Sequence, residues 1–287
     1  MREKREVHMI GVGYIEKQNE FMQRHQLFFD RFPNLLAVIN GAFERTLTAA
    51  SAPLDPLIFY LGMRAVDDFQ AILVLTANDI ALPAQALLRG MYERIVTAAH
   101  LHDNPQDALD FAEFDYVQRR KLANALKNTL GFSPEDPATL EEFEREYQRV
   151  KARYEVACDG CGKKRMGPGW SKLDFVTQAT RQPRLADYVV HAYYLPLLQA
   201  HSTLRSASAL LEVKDGTHAF RSDFRQLSDE VFRLTYVLLL NGLQTQVDHF
   251  GLPDVDKALT IAVADHLDVY PAEPNEEPPT GSVPARE

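Results

Sequence analysis

Apolar residues recur at three- and four-residue intervals along nearly the whole chain, and runs that alternate apolar with polar residues are scarce. A helix turns once every 3.6 residues, so this period gathers apolar side chains on one face. Such faces are buried only by packing helix on helix, which predicts an all-α protein: a multi-helix bundle with long antiparallel helices. With 287 residues, 46% of them hydrophobic, the chain can enclose a large core.

Local signals divide the bundle. A first long helix is expected over Tyr14 to Ala49, broken or kinked near Pro33. Pro53 and Pro56 open a helix running to about Thr76. After Asn78-Asp79 and Pro83, a further helix runs to about His102 and stops at Asp103-Asn104-Pro105. The next spans Gln106 to about Leu130 and ends at Gly131. Ser133-Pro134-Glu135-Asp136 reads as the cap of a charged helix from Ala138 to Val156. Cys158 to Gly169 holds four glycines and a proline and reads as a loop, anchored on the core by Trp170. Helical segments at 185–194 and 197–213 flank Pro196. Lys214-Asp215-Gly216 then turns the chain into a helix over 222–250, with a short helix near 255–267. This pattern predicts a single all-helical domain over 1–270, with 131–170 as an excursion. The acidic, proline-rich tail 271–287 is expected to be disordered.

The net charge is −9, spread unevenly: residues 117–184 carry +5. An acidic chain is a poor general binder of nucleic acid. The basic 145–172 stretch is the one segment that could offer RNA or an acidic partner a footprint. The start Met1-Arg2-Glu3-Lys4-Arg5-Glu6 is charged and no secretion-type apolar run follows it. Apolar runs fall short of the roughly 20 residues that span a bilayer. Two cysteines cannot build a disulfide framework. Together these point to a cytoplasmic protein without a membrane segment.

Candidate chemistry centres on Leu87-Leu88-Arg89-Gly90-Met91-Tyr92-Glu93. Arg89 and Glu93 are one helical turn apart, and His100 falls on the same stripe. Arg64 and Asp68 repeat the spacing on the preceding helix, so Arg64, Asp68, Arg89 and Glu93 are expected to form one internal polar network. Read as catalysis, the arginines hold an anion and a carboxylate or histidine moves protons; read as structure, the network clamps helix register. Tyr193, Tyr194, His201, Ser202 and Arg205 form a second polar group around Pro196, with His201 and Arg205 one turn apart. Cys158-Asp159-Gly160-Cys161 is a knuckle of the kind that supplies half of a zinc site. No second pair exists, so a four-cysteine site needs a dimer partner, and the strand-to-helix setting of a redox pair is missing. The pair is therefore a weak metal candidate. No phosphate loop, glutamate-x-x-histidine pair or serine elbow is present, and no cofactor or metal is expected.

The segment from Arg64 to Ser202 resembles a bacterial family known as domain of unknown function 5677. The shared landmarks are Arg64, then Ala86-Leu87-Leu88-Arg89 with Glu93, then Tyr116 and Lys121, Trp170, and the stretch Tyr193 to His201. Where the family usually has a serine one turn before the histidine, this chain has Leu197 and Leu198. The arrangement is in turn similar to HEPN-type helical bundles, which often dimerise and include RNA-cleaving toxins and defence effectors. Their signature is an arginine followed after four to six residues by a histidine. Arg2/His8, Arg94/His100 and Arg184/His191 fit it, about as often as composition alone gives. The resemblance implies one of two roles. The first is an interaction or regulatory component of a bacterial defence or stress response, working as a homo-oligomer or with a protein partner. The other is a metal-independent ribonuclease using Arg89, Glu93, His100 and His201.

Overall fold

The computed structural model describes residues 13–47, 52, 54–131, 136–158, 160–200, 204–214, 216–221 and 223–271. Among these, eleven α-helices and two small antiparallel hairpins bear out the all-α expectation. The tail beyond Pro271, His8, the start of the 133–136 cap and the end of the first predicted helix lie outside the described residues. No described helix is long and apolar enough to cross a membrane.

The first predicted helix is two, α1 (Ile15–Arg24) and α2 (Gln26–Phe43). The interruption falls at His25, and α2 runs through Pro33. His25 is the stronger breaker because its buried ring is committed on both sides: Nε2 to Asp229 at 2.9 Å and Nδ1 to the Tyr270 hydroxyl at 2.7 Å. Helices α3 (Leu54–Ala77) and α4 (Ala81–Asp103) follow, joined by three residues and packed antiparallel along their lengths. Asp79 makes the turn at φ 57°, and Asn78 Oδ1 accepts from the Tyr14 amide at 2.8 Å.

Helix α5 (Ala108–Leu130) ends at Gly131, whose φ of 76° suits a residue without a Cβ. Asp136 caps α6 (Pro137–Tyr154) by accepting from the Thr139 amide at 3.0 Å. The α5–α6 pair encloses its own cluster of Phe114, Val117, Val150 and Tyr154. Trp170 bridges that cluster to α4 and α5 through the rings of His100 and Phe111.

Two sequence-based expectations are corrected by the hairpins. The chain over 155–166 is a hairpin, β1 (Glu155–Ala157) and β2 (Lys164–Met166), where helix end and loop are predicted. A similar correction holds for 197–213. After α7 (Phe175–Thr180) and a π-helical turn over Val189–Tyr194, the helices among the described residues are α8 (Leu195–Ala200) and α9 (Leu204–Ser208). They are followed by β3 (Leu211–Lys214) and β4 (Thr217–Phe220). Lys214 pairs with Thr217 at the end of this hairpin, and Gly216 next to that pair stands at φ 74°.

Helix α10 (Arg225–Phe250) is the axis of the bundle: it packs on α2, α3, α4 and on α11 (Pro253–Val269). Gly62 allows the approach of α3, since a Cβ there would lie 2.4 Å from the side-chain nitrogen of Gln246. That nitrogen instead donates to the Ile58 carbonyl at 2.8 Å.

Candidate functional site

The four charges expected to form one network are shared out among separate hydrogen-bonded pairs. Arg64 pairs with Asp67 at the surface, at 3.0 Å. Arg89 Nε donates to Glu93 within α4 at 2.8 Å, and the Arg89 guanidinium covers the Tyr193 ring at 4.7 Å. The bond across α3 and α4 is made by Arg94, whose Nη1 lies 2.5 Å from the buried Asp68 carboxylate. Burial holds the Asp68 carboxyl above its ordinary range, against the pull of Arg94 and Arg64. Gly90 makes the reach possible, since a Cβ there would sit 2.9 Å from Arg94 Nη1.

His100 is buried, bonded through Nε2 to Asp107 at 2.9 Å and packed against Trp170. Neither contact brings it to Arg89. His201 and Ser202 lie outside the described residues. Of the basic stretch 145–172, Arg145, Arg149 and Arg153 face carboxylates of α5 and α6, and Lys164 faces Glu155. Arg94 and His100 turn to different partners, and Arg184 bonds Asp248 while His191 lines a cavity elsewhere. At the β1–β2 turn, Cys158 is half-buried and Cys161 exposed, both as free thiols. Amide hydrogen bonds from Cys161 and Gly160 hold the Cys158 thiol below its usual range.

One concavity lies where the sequence gives no motif. A cavity of about 690 Å³ opens between α4, the π-helical turn, α10 and α11. Its floor is apolar, with Leu88, Val231, Leu234 and Val237, while Asp187, His191, Glu230 and Arg233 stand at its mouth. Wide π turns are common at functional sites. Here the turn precedes Pro196, which cannot donate to the Ala192 carbonyl, so the chain must re-seat its hydrogen bonds just before α8. Gln85 Oε1, shielded from solvent, makes no hydrogen bond among the described residues and lines the same cavity. Such a site suits an apolar group carrying a polar end.

Two imidazoles near these helices are depressed by burial. His266, between the Tyr236 and Tyr270 rings, is held below the usual range by desolvation. Tyr236 is pushed up to about 12 for the same reason. A base whose folded pKa is lowered leaves the unfolded chain with more bound protons, so its stability contribution is constant above the ordinary imidazole range and is lost as pH falls through it. Urea titrations from about pH 7.5 to about pH 5.5 should show the parent weakening more than His266→Gln. Identical slopes would refute burial of a neutral ring as the cause.

A second polar group escapes any sequence reading because its members are scattered. His102 and His249 meet Nδ1 to Nδ1 at 3.3 Å, and His249 Nε2 faces Asp55 at 3.2 Å. Desolvation lowers His249 in spite of Asp55. His102 lines a cleft of about 280 Å³ with Arg184 and Asn241.

Comparison with known proteins bears on this geometry at the level of family alone. No curated protein and no solved structure matches the chain significantly. A family model described as a family of unknown function (DUF5677) matches residues 55–218. That span holds α3 to α9, the π turn and β3, and with it Arg64, Arg89, Glu93 and Trp170. The chain belongs to this family of unknown function, DUF5677.

Proposed function

We propose that this chain is an interaction module with a regulatory role, docking a protein partner along the edge formed by the π turn, α8, α9 and the β3–β4 hairpin. One observation carries the reading: side chains there that a monomer has reason to bury stand in solvent. Leu204 is 87% exposed, Phe220 80% and Val213 70%, and Val190, Tyr194 and Leu198 add to them. Exposed apolar surface of this kind marks contact sites. The apolar cavity beside it can receive a side chain from the partner. The described catalytic candidates support the same role, since Arg89, Glu93 and His100 are engaged with neighbours of their own chain. We place the module in the cytoplasm, as one all-helical domain over 1–270, in a bacterial defence or stress response. That context rests on the resemblance to HEPN-type bundles.

A photo-crosslinking residue placed at Phe220 or Val213 should yield a discrete adduct in cells, and one placed at Leu122, on the exposed face of α5, should not. Equal labelling from all three positions, or none, would sink the docking edge.

The His102–His249 contact favours a second reading, cleavage of RNA by paired imidazoles with Arg184 holding phosphate. Purified protein is expected to leave labelled RNA intact. Cleavage that His249→Ala abolishes would replace the docking reading with this one.

A further inference from the structure

We infer that the cavity between α4, the π turn, α10 and α11 binds a small aromatic amine, one with an ammonium head and a hydrogen-bond donor on its ring. Its volume of about 690 Å³ lies in the range of sites that enclose small organic molecules. The walls are set in advance. Val189 and Ala192 of the π turn are buried in the main core, as are Leu88 of α4 and Val231 of α10. Leu227, Leu234 and Val237 continue the apolar lining along α10. The rings of Tyr188, His266 and Tyr270 complete it and offer a flat molecule faces and edges to pack against.

Two observations fix the polar ends of the ligand. Gln85 stands on α4 one turn before Leu88, and its Oε1, shielded from solvent, accepts no hydrogen bond among the described residues. A buried acceptor without a donor costs free energy, which a ligand N–H or O–H recovers. The terminal torsion of a glutamine is broad and roughly two-fold, so a half-turn exchanges amide nitrogen and oxygen and presents the oxygen to that donor. The second observation lies at the mouth, where the exposed carboxylates Asp187 and Glu230 stand against one guanidinium, that of Arg233. Arg233 is drawn over the Tyr270 ring, 5.2 Å from its centroid. Asp187 has neither an ion-pair nor a hydrogen-bond partner among the described residues. The carboxylates outnumber the guanidinium, on a chain whose net charge is −9, so the mouth draws cations. An ammonium supplies three donors to those carboxylates, whereas an anionic head would be repelled.

The site is complete within one chain, so it is tested apart from the docking edge and its partner. Calorimetric titration of the full chain uses tryptamine as the probe. Indolepropionate offers the same ring with an anionic head, and ring-N-methylated tryptamine offers the ammonium without the ring N–H. Expected is saturable binding of one tryptamine per chain, with the acid bound about ten-fold more weakly and the methylated amine about five-fold. Asp187→Asn should weaken tryptamine about five-fold without weakening the acid. Gln85→Leu should bind tryptamine and its methylated form alike. Both variants should keep the helical circular dichroism of the parent, since Asp187 is exposed and the Gln85 oxygen has no bond to lose. No saturable binding at millimolar tryptamine, equal affinity for the acid, or parent-like discrimination in either variant would each overturn the proposal.

Discussion

Phe232→Ala is expected to destabilise the protein by about 4 kcal/mol, the largest effect of any single truncation proposed here. Phe232 is fully buried, and its ring meets those of Phe21, Phe28 and His25 edge-on at 5.2, 4.8 and 5.0 Å. Removing it deletes the transfer free energy of a whole aromatic ring and opens a void bordered by α1, α2 and α10. The neighbours cannot close that void cheaply, because His25 is tied to Asp229 and Tyr270. Asp229 is in turn gripped by both Nε and Nη2 of Arg24. Burial would raise the Asp229 carboxyl, yet the bonds from His25 and Arg24 outweigh it and hold the group below its usual range. Guanidinium unfolding followed by circular dichroism would measure the loss. A value under about 1 kcal/mol would mean that the cluster collapses into the space, against this account.

Arg94→Ala should cost about 3 kcal/mol, because it strands the Asp68 carboxylate out of water. Arg89→Ala, by contrast, should cost about 0.5 kcal/mol, since its partner Glu93 is one turn away on the same helix and 40% exposed. Sequence spacing puts Arg64, Asp68, Arg89 and Glu93 in one clamp; of these, Asp68 is bonded across the two helices, and its partner is Arg94. A further readout separates a stranded charge from lost packing. Without Arg94, Asp68 binds a proton more readily folded than unfolded, so the deficit should shrink as pH falls towards the carboxylate range. Equal losses for Arg94→Ala and Arg89→Ala, or a pH-independent deficit, would count against the assignment.

What could be read in advance follows the range of the interaction responsible. Gly131 and Asp136 were legible as helix ends because a cap acts within a turn. Arg89–Glu93 was legible as a pair for the same reason. Asp68–Arg94, His102–His249 and His25–Asp229 lie 26, 147 and 204 residues apart. No local pattern marks such partners. The cavity between α4, the π turn, α10 and α11 was hidden likewise, since its floor is ordinary apolar helix face. The β3–β4 hairpin is a different case. Its signal was present, Leu-Glu-Val-Lys alternation followed by Asp-Gly, but the preceding leucines and Arg205 fit a helical period equally well. The break at His25 was masked by Pro33, the conventional breaker, because only tertiary bonds make the histidine decisive.

The position of α10 separates two boundaries that are easily confused. Residues matched by the family end at 218, and α10 begins at Arg225. Yet α10 covers faces of both α3 and α4, with Ile95 of α4 lying where a Cβ on Gly242 would meet it at 3.1 Å. The segment matched by the family model is thus smaller than the segment that closes the core. A fragment cut at the last matched residue would leave α3 and α4 wet along the side that Leu239 and Leu243 now dry. The physical unit that dries α3 and α4 therefore extends past the matched stretch, into a helix whose contribution is an oily side turned towards them.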